Sequence, residues 1–239
     1  PTPAALAREL SLSPPETIPP VISGVGDLGQ GKVSLSFGQQ RLWMLDQIEG
    51  PNCAYNVPIA LRLNGKVNVS ALADSLVALV KRHQPLRTIM IAVPRAKPIG
   101  ALLDPPDPSQ LLAVVNLQDN PALLPEHIAQ EAATTFNLST DYALRAKLFV
   151  LGATEHVLSI TLHHHAFDGL SIPTLTRDLI HLYQDGILNQ DGSLAPLPFQ
   201  YSDWAAWQKN FLETPGPSNQ TLLDKKIDLA RKRLLSMPD

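Results

Sequence analysis

One cysteine, Cys53, stands alone in 239 residues, which excludes an intrachain disulfide and a Cys-x-x-Cys metal site. It lies in a Pro-Asn-Cys-Ala loop with no histidine close in sequence and reads as a packed or incidental thiol rather than a nucleophile. Such sparing use of cysteine fits a reducing, cytoplasmic setting. Aromatic residues make up only 5% of the chain, too few for the stacking platforms that hold single-stranded nucleic acid. Basic residues are not in excess either: 19 Lys and Arg against 22 Asp and Glu leave a formal charge of −3. With a pI near 6.2, no nucleic-acid partner is expected. No apolar run reaches the ~18 residues of a membrane helix and no signal-peptide pattern opens the chain, so no membrane association is expected.

Proline, by contrast, is abundant: 22 residues, about twice the usual ~5% share. Six of them fall in residues 1–20, and four of the 13 glycines fall between Gly24 and Gly31. Residues 11–32 therefore read as an irregular linker, unable to sustain a helix or a sheet ladder. Before it, residues 1–10 read as a short helix with Leu6 and Leu10 on one face.

From Val33 the patterns become regular. Ser36 is placed to cap a helix through Gln39, Leu42, Leu45 and Ile48, ended by Gly50-Pro51. Val57, Ile59, Leu61 and Leu63 alternate as a half-buried strand, turned at Asn64-Gly65. Leu72, Leu76, Leu79 and Val80 mark a second helix with Ser70 as its cap. Strands near Leu86–Ala92, Leu111–Val115, Ala143–Leu151 and His156–Leu162 flank a helix near Pro125–Phe136, and further helices are expected at Ile172–Gln184, Tyr201–Glu213 and Leu222–Leu235. Strands mixed with helices indicate an α/β class, a two-layer sandwich.

Two phosphate-binding patterns fail on context. Gly24-Val25-Gly26-Asp27-Leu28-Gly29 matches G-x-G-x-x-G, but it follows Pro19-Pro20 and precedes no helix. Gly26 to Lys32 spells G-x-x-x-x-G-K, yet Val33 stands where a Mg²⁺-binding hydroxyl belongs. Ser171 falls one glycine short of a nucleophile elbow, with Pro173 in its place, and reads as a helix cap.

The chemistry concentrates in His163-His164-His165-Ala166-Phe167-Asp168-Gly169, at the end of a strand and the start of a helix. Side chains alternate along a strand, so His163 and His165 should face one way and His164 the other. Three roles stand open on these residues alone. His163 and His165 could ligate a metal, although a metal site wants three or four ligands. One histidine could be a general base, with Asp168 holding the local geometry and Gly169 permitting a sharp turn. The cluster could also merely pin the loop.

Four segments occur in order: Ser36-Phe37-Gly38-Gln39-Gln40-Arg41-Leu42-Trp43-Met44-Leu45, Arg82-His83-Gln84-Pro85-Leu86-Arg87-Thr88, His163 to Ser171, and Tyr201-Ser202-Asp203-Trp204-Ala205-Ala206-Trp207. Together they resemble the condensation domain of nonribosomal peptide synthetases, with Gln84 where that family usually has Glu and Trp204 where it often has Tyr. The resemblance implies the N-terminal lobe of a chloramphenicol-acetyltransferase-like fold over residues 33–239, the second lobe lying beyond. It implies that His164 acts on the acceptor amine, with His163, Asp168 and Gly169 completing the catalytic motif and Arg87 pairing with Asp168 as structural support. The resemblance further implies no directly bound cofactor, with phosphopantetheine arriving on carrier domains. Residues 1–10 resemble the last helix of a carrier, which implies an upstream donor carrier in cis, and downstream acceptor carrier and adenylation domains. A non-catalytic carrier-docking module and a metal-dependent hydrolase using His163 and His165 are the alternatives.

Overall fold

A computed structural model describes residues 20–188 and 194–214, with isolated positions beyond; the helices expected over 1–10 and 222–235 lie essentially outside the described residues. Two four-stranded sheets form. The smaller, ordered β1-β2-β5-β4, is antiparallel and contains β1 (Asp27–Gly29), β2 (Lys32–Val33), β4 (Thr88–Ile91) and β5 (Ile99–Leu102). The larger, ordered β3-β8-β7-β6, contains β3 (Asn56–Asn64), β6 (Leu112–Asn116), β7 (Leu144–Val150) and β8 (Glu155–His163). Only its β6–β7 pair is parallel.

The helices are α1 (Phe37–Glu49), α2 (Val69–Arg82), a single turn α3 (Pro108–Leu111), α4 (Leu124–Ala133), α5 (Ile172–Leu188) and α6 (Tyr201–Glu213). Leu72, Leu76, Leu79 and Val80 of α2 and Leu175 and Leu179 of α5 bury one face of the larger sheet against Leu148, Leu158, Ile160 and Leu162. On the opposite face Phe149 and Val157 meet Leu124 and Ile128 of α4. Central strand β8 is thus buried on both sides from His156 to His163, and this rigid strand delivers the histidine motif. The mixed α/β sandwich agrees with the alternating patterns of the sequence.

Several local expectations change. Ser36 caps α1 as expected, its side chain accepting from the Gln39 amide at 3.2 Å. Asn68, not Ser70, caps α2: its side-chain oxygen accepts from the Ala71 amide at 3.1 Å, and the helix starts at Val69, two residues earlier than a Ser70 cap would place it. Leu86 and Arg87 lie in a 3₁₀ turn (Gln84–Arg87) rather than a strand. The glycine-rich part of the expected linker also carries a ladder after all. Gly29, Gln30 and Gly31 take φ of 81°, 54° and 71°, which makes the turn between β1 and β2. Just before it, the Gly26 amide donates to Asp203 Oδ1 at 2.9 Å, and a Cβ on Gly26 would lie 2.1 Å from the Ser202 carbonyl carbon. These glycines seat the hairpin against α6; they hold no nucleotide loop.

Candidate active site

Strand β8 ends by unzipping into the motif turn. The amide of His163 donates to Ala143 O at 3.0 Å, that of His164 to Tyr55 O at 2.9 Å, and that of Ala166 to His163 O at 3.0 Å. This backbone turns His163 and His165 inward, each 5% exposed, and leaves His164 outward on the surface. The alternation read from the sequence is therefore present, although the strand itself stops at His163.

The two inward rings touch each other, Nδ1 to Nδ1, at 3.0 Å, and His165 Nε2 lies 3.2 Å from Thr88 O. A carbonyl only accepts, so His165 carries its proton on Nε2 and presents a Nδ1 lone pair, to which His163 Nδ1–H donates. The His165 amide also points at His163 Nδ1, at 3.2 Å, and is the weaker claimant on that atom because the ring contact is shorter. Burial, reinforced by the neighbouring His165, His164 and Arg145, pushes the His163 pKa down to about 3. Burial likewise lowers His165 to about 4, against the opposing pull of the Thr88 carbonyl. Both rings are neutral at ordinary pH. Their facing nitrogens share one hydrogen bond, and among the described residues no three His, Cys, Asp or Glu side chains converge as a metal-binding group. The two rings are packed side by side and spend their facing nitrogens on each other.

Asp168 is exposed and satisfied locally. Its Oδ1 accepts from the Ser171 amide at 2.9 Å and the Ser171 hydroxyl at 2.6 Å, capping the 3₁₀ turn Gly169–Ser171. Ser171 is thus the donor to a cap and not the cap itself. The Arg87–Asp168 pair implied by the resemblance is absent. Arg87 Nη1 donates instead to Leu103 O at 2.6 Å, just past the end of β5, and its buried Nε has no partner. Two donors inside its own turn leave Asp168 no need of a distant guanidinium. Gly169 also departs from expectation: its φ lies outside the left-handed region, and a Cβ there would meet nothing within 4 Å. Its missing side chain leaves open space rather than enabling a strained turn.

Clefts line up along this loop. One, of about 270 Å³, lies between His164, Tyr55, Arg41 and Tyr201; another, of about 350 Å³, is walled by His83, Leu86, Phe167, Leu170 and Leu175. A narrow space of about 100 Å³ between them is lined by His164, and Asp168 and Tyr201 border all three. His164 therefore lines two of three adjoining clefts, which form a groove bordered throughout by Asp168 and Tyr201.

Sequence reasoning missed the residues that brace this groove. Gln39 is 3% exposed and its Nε2 donates to His165 O at 3.2 Å. The Tyr201 hydroxyl donates to Ser36 Oγ at 3.1 Å, and burial, partly offset by that bond, raises its pKa. Asp178, fully buried, accepts from Arg82 Nε at 3.0 Å and Arg177 Nη2 at 3.0 Å, and lies 2.9 Å from His83 Nε2. Burial opposes its charge, but these three partners together hold its carboxyl below the ordinary range. Gln39 and Tyr201 were legible only as members of the ordered motifs, and Asp178 gave no signal at all.

The comparisons agree with this geometry. A family model described as Condensation domain matches residues 29–220. The probable non-canonical nonribosomal peptide synthetase CymA of Salinispora arenicola (strain CNS-205) is 36% identical over 225 residues, covering 92% of this chain and 3% of that protein. A dimodular nonribosomal peptide synthase of Bacillus subtilis (strain 168) is 35% identical over 208 residues, 87% of this chain and 9% of its own length. The X-domain from teicoplanin biosynthesis superposes with a TM-score of 0.79 at 28% identity, over 92% of this chain and 46% of that one. The first condensation domain of the CDA synthetase gives 0.69 at 18% identity, over 78% and 48%, a likeness of fold. The chain thus spans less than a tenth of these two curated relatives and about half of these two solved structures. With a family model matched over most of its length and relatives above 30% identity, the chain belongs to the condensation-domain family of nonribosomal peptide synthetases, with the chloramphenicol-acetyltransferase-like fold.

Proposed function

We propose that this chain is the N-terminal lobe of a domain that forms a peptide bond between a donor acyl or peptidyl thioester and the amine of an acceptor aminoacyl thioester. Both substrates ride on phosphopantetheine arms of carrier domains, the donor carrier upstream in cis and the acceptor carrier and an adenylation domain downstream. The observation that supports this reading most is the sorting of the three histidines: two are buried and neutral, and His164 is the exposed one, lining the groove whose wall His165 also borders.

The reaction asks little of the base. An α-amino group has a pKa of roughly 7.7–8.0, so about a tenth is already neutral at pH 7, and its lone pair can attack the thioester carbon unaided. Attack gives a tetrahedral intermediate with a cationic nitrogen; His164 accepts that proton, or orients the amine. Collapse breaks the C–S bond and releases the donor arm as a thiol. A base in this position contributes at most ~10²–10⁴-fold. Asp168 holds the turn through Ser171, and the space over Gly169 leaves room for the reacting groups.

Residues 33–239 are read as the lobe, with the hairpin from Asp27 joined to it and residues 1–10 as the end of the preceding carrier. With only half the groove, the 239-residue chain alone is expected to be inactive. No epimerising element stands between carrier and lobe in this reading, which favours an L residue at the donor end. An intact His-His-x-x-x-Asp-Gly element speaks for catalysis over a silent docking module. In the complete synthetase, His164→Ala should cut condensation strongly, by up to ~10²–10⁴-fold, while leaving carrier loading intact. Full turnover in that variant would leave the docking module as the better reading, and metal-dependent hydrolysis by the purified protein would replace both.

A further inference from the structure

His164 must be held still to be useful, yet its side chain makes no hydrogen bond among the described residues. What is fixed is its backbone, from both sides. On one side its amide is tied to Tyr55 O at 2.9 Å. On the other, the His165 carbonyl receives Gln39 Nε2 at 3.2 Å across 126 residues of sequence. The same amide side chain has a second task at its other end, where Oε1 accepts the Ser36 amide at 3.0 Å and closes the capping box of α1. Ser36 in turn accepts the Tyr201 hydroxyl at 3.1 Å, and Tyr201 faces His164 across the groove. Both ends of the Gln39 amide are therefore occupied, and the side chain is buried between them. A capping box needs only an acceptor at this position; the donor half serves the loop.

We infer that Gln39 is a positioning residue for His164, a strut that fixes the motif loop to the start of α1 through its Nε2–H donated to the His165 carbonyl. This inference rests on the condensation reading above. The cap and the strut use opposite ends of one amide, so they can be separated chemically. Gln39→Met removes both ends at nearly constant volume. Gln39→Glu keeps the cap acceptor, and a carboxylate near a helix N-terminus is favourable there. Once ionised, however, it has no proton to donate to the His165 carbonyl. It regains a donor only when protonated.

The test is steady-state condensation by the complete synthetase, with loaded carriers, from pH 6 to pH 8.5. For Gln39→Met, kcat should fall by about 10- to 100-fold, the range that a misplacement near 1 Å at the reacting centre can reach, with KM unchanged within about twofold. For Gln39→Glu, burial at this position (3% exposed) opposes the carboxylate and raises its pKa, so kcat relative to wild type should be low at pH 8.5 and rise towards pH 6 as the carboxyl gains its proton. A role in capping alone predicts wild-type kcat for Gln39→Glu across the whole range. That flat profile, or an unchanged kcat in a folded Gln39→Met protein, overturns the inference while the condensation reading stands. A wild-type synthetase that makes no product overturns both.

Discussion

Acid should weaken this fold before its carboxylates begin to titrate. His163 and His165 are buried as neutral rings with pKa values near 3 and 4, against an ordinary value of 6.5. The sign follows from proton counting. Above pH 6.5 neither the folded nor the unfolded chain binds these protons, and the stability is whole. As pH falls below 6.5 the unfolded chain takes up two protons that the native pair refuses, so stability drops until the native values are reached. At pH 5, 1.5 units below the unfolded value at about 1.4 kcal/mol per unit, each ring costs about 2 kcal/mol, or about 4 kcal/mol for the pair. That is a large share of a typical 5–15 kcal/mol. His83, whose pKa burial also lowers, acts in the same direction and window. Glu131 and Asp178, with lowered carboxyl pKa values and ordinary values of 4.5 and 3.8, come into play only at lower pH. Urea denaturation at pH 7.5, 6 and 5 measures the effect. Near pH 5 the unfolding free energy should change by about 2.7 kcal/mol per pH unit, the signature of two protons taken up. A stability that is flat between pH 7.5 and 5 would refute the buried neutral pair.

Two further outcomes test the packing around the site. Asp178→Ala strands Arg82, His83 and Arg177 around a lost carboxylate and should destabilise by about 3–5 kcal/mol in chemical denaturation, whereas a change below about 1 kcal/mol would show that the cluster is not held by that charge. Arg87→Ala and Asp168→Ala should be additive in a double-mutant cycle within about 0.5 kcal/mol, because Arg87 bonds Leu103 and Asp168 bonds Ser171; a larger coupling would restore the expected ion pair. Asp168→Ala alone should cost about 1 kcal/mol, as an exposed cap does.

What the sequence made legible was local and periodic. The strand expected near His156–Leu162 is the central strand, the alternation of side chains along a strand separated His164 from its two neighbours, and Ser36 announced the start of α1 as a cap residue before an apolar-periodic run. The misreadings came where the deciding partner is distant. Gly26 looked like linker because its reason for being glycine is the Ser202 backbone, 176 positions away. Asn68 was passed over for Ser70 because apolar periodicity locates a helix better than it locates its first residue. Gln39 and Asp178 act through partners on other elements, and no pattern of neighbouring residues can show that. The Arg87–Asp168 pair failed for the opposite reason: Asp168 met its need within three residues.

On the proposed function, the groove beside His164 should join two carrier-bound substrates by an amide bond. The most direct measurement is the intact mass of the downstream carrier after a single turnover of the complete synthetase with both carriers loaded. This account predicts that the acceptor carrier gains the mass of the donor acyl group while the donor carrier returns to its free thiol. An unchanged acceptor carrier, or a donor acyl group released into solution as the free acid, would contradict it.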